Sequence, residues 1–213
     1  MDAFKTIARA SEEEYIINRS RFIGRCYPVE TEEEALSILA AIRKQHYDAT
    51  HNCYAYRVGK RGETARFSDD GEPSGTAGMP MMEVLTMSGV TNVLCIVTRY
   101  FGGILLGAGG LVRAYAKGAA EAVRAAGVMY HIPGTAIEFT VDYGRYGAVE
   151  AYVRQNAQVD DIEFSENVKI RVLVESGCAE SFQKEIIERT DGRAVPAVTG
   201  EGYLIRPEGG EKS

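Results

Sequence analysis

Residues 93–115 read VLCIVTRYFGGILLGAGGLVRAY. The run from Val93 to Val97 is apolar without alternation, which describes a central strand covered on both faces. Its end delivers Thr98, Arg99 and Tyr100 to a sheet rim, and Gly102–Gly103 follow at once. Gly107, Gly109 and Gly110 then precede a helix predicted over 111–126. Leu111, Tyr115, Ala119, Ala122 and Val123 form its apolar stripe, with Arg113, Lys117 and Arg124 opposite. Gly127 serves as its C-cap. Upstream, residues 69–80 read DDGEPSGTAGMP, and a short helix is predicted from Met79 to Met87, starting near Pro80 and ending at Ser88–Gly89. Ten of the 23 glycines lie between Gly71 and Gly118, so backbone freedom is concentrated in this segment.

Working outward, residues 13–29 are rich in β-formers and read as one bent strand or a strand pair. Thr31 and Glu34 form a capping box for a helix running to about His46, with an acidic first turn and a basic last turn. HNCYAYRVG alternates, placing Asn52, Tyr54, Tyr56 and Val58 on one face and Cys53, Ala55 and Arg57 on the other. GKRG turns it into an antiparallel partner, TARFSDDGE, and Arg57, Lys60, Arg61 and Arg66 gather at that hairpin. HIPG, residues 131–134, is read as a linker between domains 1–133 and 134–206. The second of these shows a strand, helix, strand, strand, helix, strand order, the signature of a ferredoxin-like domain. The tail, 207–213, is expected to be disordered. The fold class is α+β.

The 45% hydrophobic content is that of a globular chain with a real core, and no apolar run reaches the roughly 18 residues of a membrane span. No apolar leader opens the sequence, so a cytoplasmic location is expected. Cys26, Cys53, Cys95 and Cys178 are scattered without a CxxC pair, which fits free, mostly buried thiols. Residues 1–133 carry 15 Lys and Arg against 15 Asp and Glu, whereas residues 134–213 carry 9 against 15. A uniformly basic nucleic-acid binder is thereby excluded, and the second half repels polyanions.

Three clusters carry candidate chemistry. Gly107, Gly109 and Gly110 before a helix make an anion site, where unpaired N–H groups and the helix dipole meet, with Arg99 and Arg113 supplying charge-assisted bonds. The alternative is that these glycines only let helix and strand pack. Asp69, Asp70 and Glu72 offer hard oxygen ligands suited to Mg²⁺, or simple turn chemistry, or partners that fix Arg99 or Arg113 across a groove. The last reading is preferred, because nothing else balances those arginines. His46, His51 and Cys53 match no zinc spacing, and a Cys53–His51 nucleophile pair lacks a third orienting group. Ser74 and Thr76 lack the elbow a nucleophilic serine requires.

DATHNCYAYRVG (48–59), SDDGEPSGTAGMP (68–80) and VTRYFGGILLGAGGLVRAY (97–115), together with SRFIG (20–24) and the Tyr47–His51 region, resemble the IMPACT/YigZ family over essentially the whole chain. The resemblance implies an N-terminal α/β domain of the ribosomal-protein and GHMP-kinase type. It also implies a ferredoxin-like C-terminal domain similar to the last domain of translocating elongation factors, and a role in translation regulation. The eukaryotic relative uses an additional RWD domain absent from this sequence, so its partner interaction is not carried over. Kinase-like folds bind ATP phosphates at a comparable glycine-rich helix entrance, yet fold does not fix function. Asp69, Asp70, Glu72, Ser74, Thr76, Arg99, Tyr100, Gly102, Gly103, Gly109, Gly110 and Arg113 are the positions expected to line a groove for RNA backbone or a nucleotide phosphate. No catalytic residue, metal or cofactor is assigned. RNA or a ribosome-associated factor is the expected partner. The rival readings are a Mg-dependent phosphotransferase, a hydrolase using Cys53 or Ser74, and a ligand-free interaction scaffold.

Overall fold

Strand alternation builds the first sheet. The structure, a computed structural model, describes residues 1–209, and the chain divides into two compact units, Phe4–Tyr130 and His131 onward with Met1–Ala3. In chain order the first unit contains β1 (Phe4–Ile7), β2 (Ser11–Ile17), β3 (Ser20–Pro28), α1 (Glu32–Gln45), β4 (His51–Val58), β5 (Thr64–Ser68), α2 (Gly78–Met87), β6 (Val93–Tyr100) and α3 (Gly107–Ala126). Its sheet runs β2-β3-β6-β4-β5, with every neighbouring pair antiparallel. The segment 13–29 is therefore a hairpin pair, its turn made by Asn18 and Arg19 at positive φ.

β6 is the central strand and is buried on both faces. Val93, Cys95 and Val97 join Cys53, Ala55 and the inner stripe of α3 in one core, while Leu94 and Ile96 join Tyr56, Val58 and Leu39 of α1 in another. The predicted two-face alternation of β4 is thus the division between two cores. Cys26 and Cys95 stand opposite each other in the β3–β6 register; with Cys53 they are buried and free, and Cys178 is free and exposed. Thr31 caps α1 by accepting from Glu34 N at 3.1 Å, an interaction worth ~1 kcal/mol. Glu34 reaches back to Glu30 N at 2.8 Å, one residue earlier than the standard box.

Two glycines are fixed by close approach. A Cβ on Gly118 of α3 would lie 2.4 Å from the Tyr15 hydroxyl, and one on Gly24 of β3 would lie 2.5 Å from the Gly118 carbonyl oxygen. α3 rests directly on the sheet backbone there.

The second unit continues from β7 (Val128–Val141) through α4 (Tyr143–Asn156), β8 (Gln158–Phe164), β9 (Val168–Glu175), a short 3-10 turn (Ser176–Cys178), α5 (Ala179–Arg189) and β10 (Ala197–Pro207). β9 pairs with β7 and β8, and β10 pairs with β7, giving the predicted strand and helix order. Ile137, Phe139, Val149, Val153, Ile170, Val172, Phe182 and Ile186 form its core.

Three expectations shift. Residues 131–134 are not a loop linker but extended backbone within β7, whose ladder with β9 begins at Gly134↔Glu175, just after Pro133, which has no N–H to donate. α2 begins at Gly78, so Pro80 is the third helical residue. α3 begins at Gly107 and not at Leu111. The tail reading falls on Pro207–Gly209, where β10 still includes Pro207, and otherwise lies outside the described residues. Among the described residues no helix is long and apolar enough to cross a membrane.

Candidate functional site

Strand parity decides the fate of Arg99. It shares the β6 face that carries Cys95 and Val97, so its side chain enters the core and is only 5% exposed. There its NH1 donates to Glu72 Oε1 at 2.7 Å and its NH2 to Ser20 Oγ at 3.3 Å, while the guanidinium carbon lies 5.5 Å from the Phe22 ring centre and 5.3 Å from that of Phe101. Its Nε is buried without a hydrogen-bond partner among the described residues. Expected as a surface grip on phosphate, Arg99 is instead a buried cation held by an acid. Of the three acids expected to pair with Arg99 or Arg113 across a groove, Glu72 pairs with Arg99, inside the fold.

Glu72 is the hub, 8% exposed. Oε1 also accepts from the Tyr115 hydroxyl at 2.7 Å, and Oε2 lies 3.8 Å from His51 Nε2. His51 Nδ1 donates to the Asp70 carbonyl at 2.7 Å, and because a carbonyl only accepts, this nitrogen carries the proton. Burial, with Cys53 and Glu72 adjoining, pushes the Tyr115 hydroxyl well above its ordinary value, so it acts as a donor.

The other two acids are committed elsewhere, Asp69 to backbone and Asp70 to backbone and Arg43. Asp69 accepts from Gly75 N at 2.8 Å, Ala77 N at 3.0 Å and Gly78 N at 2.8 Å, so it caps α2 from across the loop. Burial raises its carboxyl, but the three N–H bonds outweigh it and hold the group below the usual range. Asp70, at positive φ, accepts from Asn52 N at 2.7 Å and Arg43 at 2.6 Å. Among the described residues, no group of three or more His, Cys, Asp or Glu side chains is arranged to hold a metal ion. Cys53 Sγ donates to the Asp69 carbonyl at 3.0 Å, and burial pushes its thiol up to about 12, so it is no thiolate at neutral pH. Cys53 and His51 thus bond two different carbonyls and not each other.

The remaining predicted positions sort by exposure. Thr76 is buried, with its hydroxyl on the Pro73 carbonyl at 2.6 Å, and Ser74 is exposed. Gly102 touches the β2–β3 turn: its N donates to Ser20 Oγ at 3.2 Å, and a Cβ there would lie 2.1 Å from the Arg19 carbonyl. Gly103, Gly107 and Gly109 are exposed, and Gly110 is half-buried. No side chain caps Leu106 at the start of α3. Arg113, moved into the second turn by the earlier helix start, is exposed, and a Cβ built on Gly109 would lie 3.6 Å from its NH1.

Tyr100 faces the opposite side of the sheet. Arg25, 2% exposed, donates to Glu12 at 2.7 Å, to Thr98 Oγ1 at 3.0 Å and to His46 Nε2 at 2.8 Å. An arginine only donates, so His46 Nε2 accepts and Nδ1 carries the proton toward the Tyr100 hydroxyl, 2.8 Å away. Tyr100 lies 3.3 Å from Asp48 Oδ1. Burial, reinforced by Arg25, lowers the His46 pKa. Ser20, Tyr115 and Arg25 escaped the sequence reading of the site. Ser20 opens the SRFIG motif and Tyr115 closes the glycine-rich one, so both belong to the motifs that carry the family resemblance.

Residues 18–123 match the Impact N-terminal domain model, and residues 139–193 match a domain of unknown function, DUF1949. The IMPACT family member YvyE of Bacillus subtilis (strain 168) is 40% identical over 195 residues, 91% of this chain and 90% of its own. The IMPACT family member YigZ of Escherichia coli (strain K12) is 34% identical over 179 residues, 83% of this chain and 88% of its own. A solved structure described as the crystal structure of an hypothetical protein aligns with a TM-score of 0.58 at 30% identity, covering 94% of this chain and 98% of that one.

Proposed function

Because the chain belongs to the IMPACT family, we propose that it is a translation-linked binding protein whose Phe4–Tyr130 unit holds RNA backbone, or the phosphate of a nucleotide, where α3 begins. The observation that carries this reading is the start of α3. Its first residues Gly107, Ala108 and Gly109 are exposed, Leu106 brings no side-chain cap, and Arg113 extends over Gly109 with no acid beside it among the described residues. Free N–H groups at the positive end of a 20-residue helix favour an anion, and Arg113 adds a full charge. Arg99 then acts as a positioning residue. Pinned by Glu72 and Ser20, it fixes β6 against the β2–β3 turn and holds Phe101, and through it the 101–106 loop, in place. Its guanidinium carbon lies 5.3 Å from the ring centre of Phe101, that loop's first residue.

The test is fluorescence anisotropy of a short labelled single-stranded RNA over a salt series. Arg113→Ala is expected to weaken binding and to lower the salt slope by about 0.7, the share of one single-strand phosphate. Arg113→Lys is expected to restore most of the slope. An Arg113→Ala protein with unchanged affinity and slope would remove α3 from the binding site and favour the ligand-free scaffold.

A further inference from the structure

The second unit contains a cavity of about 660 Å³, formed where the end of α4, the start of α5 and the ends of β9 and β10 meet. That volume lies within the ~300–1,000 Å³ of small-molecule sites. One wall is apolar: the Tyr152 and Phe182 rings stack at 5.5 Å, and Leu204 continues the surface. The charged lining consists of Arg154, Arg206 and Glu175. Arg206 NH1 lies 2.6 Å from Glu175 Oε1, which leaves its other donors for a ligand, and Arg154 is held by Glu150, outside the lining.

The local charge differs from that of its surroundings. Residues 134–213 hold 9 basic and 15 acidic side chains, yet at the cavity two bases meet two acids, Glu175 in the lining and Glu150 behind Arg154. α5 also begins at the wall without a side-chain cap, and Cys178 and Ser181 of that region line the space. We propose that this cavity binds a small organic anion, a carboxylate or phosphate monoester with an apolar body. The anionic group meets Arg206 and Arg154, and the body lies against Tyr152, Phe182 and Leu204. This site is separate from the α3 reading and stands whether or not RNA binds.

Cys178 offers a direct readout, because Cys26, Cys53 and Cys95 are buried and it is exposed at the cavity wall. The full-length protein is labelled with an anionic methanethiosulfonate, the sulfonatoethyl reagent, and with its trimethylammonium counterpart, each rate being taken relative to that reagent's rate with free 2-mercaptoethanol. Cys178→Ser identifies the modified site. The anionic reagent is expected to react several-fold faster, and Arg154→Gln/Arg206→Gln is expected to bring the two rates together. Phenyl phosphate or benzoate at millimolar concentration is expected to slow labelling of the wild-type protein, and the better protector tells phosphate from carboxylate. Equal rates for the two reagents, or protection by neutral benzyl alcohol as strong as by the anions, would overturn the proposal. The protection measurement uses wild-type protein, so a poorly folded double variant does not blunt the test.

Discussion

In the Phe4–Tyr130 unit two arginines lie inside the fold, Arg25 at 2% and Arg99 at 5% exposure, each answered by an acid and by neutral side chains. In the unit from His131 onward the arginine with most acidic neighbours, Arg171, has a side chain 44% exposed and stands on the open sheet face among Glu138, Asp161 and Glu163. The same two chemical groups, a guanidinium and a carboxylate, therefore have opposite energetic consequences in the two settings. Desolvated, the pair is costly to assemble and far costlier to leave half-made. In water, screening and side-chain entropy cancel most of its value. Apart from Thr190, every buried polar side chain among the described residues belongs to the first unit. Internal polarity is thus concentrated where the glycine-rich segment must be held in one shape.

The largest test of this contrast is Glu72→Ala. It strands Arg99 and the Tyr115 hydroxyl in the core, and urea unfolding is expected to show a loss of ~3–5 kcal/mol. A loss under ~1 kcal/mol would mean that Arg99 finds water, and the contrast between the units would fail. Replacing both charges with apolar groups, Glu72→Leu with Arg99→Met, sharpens the point: the double variant is expected to be more stable than Glu72→Ala alone, because no charge is left unpaired.

Asp69→Ala comes next. Three backbone N–H groups lose their acceptor at the start of α2, with an expected cost of ~2–3 kcal/mol in the same measurement. If instead the loss stays near that of one exposed cap, ~0.5 kcal/mol, water has replaced the carboxylate and the loop is more open than its bonding implies.

A smaller, pH-dependent effect belongs to His46. Its pKa is lowered from 6.5 by burial and by Arg25, so the folded protein binds fewer protons there than the unfolded chain. Its contribution is fully present above about pH 6.5 and is lost as pH falls below that value toward the folded pKa. Melting temperature measured from pH 7.5 down to 5 is expected to fall less steeply for His46→Gln than for the wild type. Parallel curves would show that His46 does not accept from Arg25. The smallest effect is expected in the second unit, where Arg171→Gln should leave the urea midpoint within scatter. A clear shift would show the open ladder to be as costly to break as the buried one.

Much of the fold was legible in the sequence because its signals are local. Thr31 and Glu34 mark the start of α1, alternation in residues 51–58 separates two cores, and the β-α-β-β-α-β order follows from turn spacing. Signals that depend on context failed. Glycine's weak helix propensity hid the exposed first turn of α3, which extends the helix N-terminally from the buried Leu111. Pro133 and Gly134 read as breakers although an extended strand accommodates Pro133 just ahead of its ladder with β9 and Gly134 as that ladder's first residue. The site was legible as a set of residues but not as an arrangement. Parity along β6 puts Arg99 on the face of Cys95 and Val97; what it cannot give is that this face stays covered at the strand's end, or the loop path that brings Glu72 to it. Asp69's three bonds span six to nine residues of loop, beyond any periodic pattern.

β6 is enclosed by antiparallel neighbours on either edge and by a core on either face. Its amide hydrogens are therefore expected to be among the last in the first unit to exchange with deuterium, at the rate of global opening. Because Arg99 and the glycine-rich turn follow from the end of that strand, a segment rich in glycine is anchored to a strand expected to open late. A ligand that grips the turn would meet it already in place.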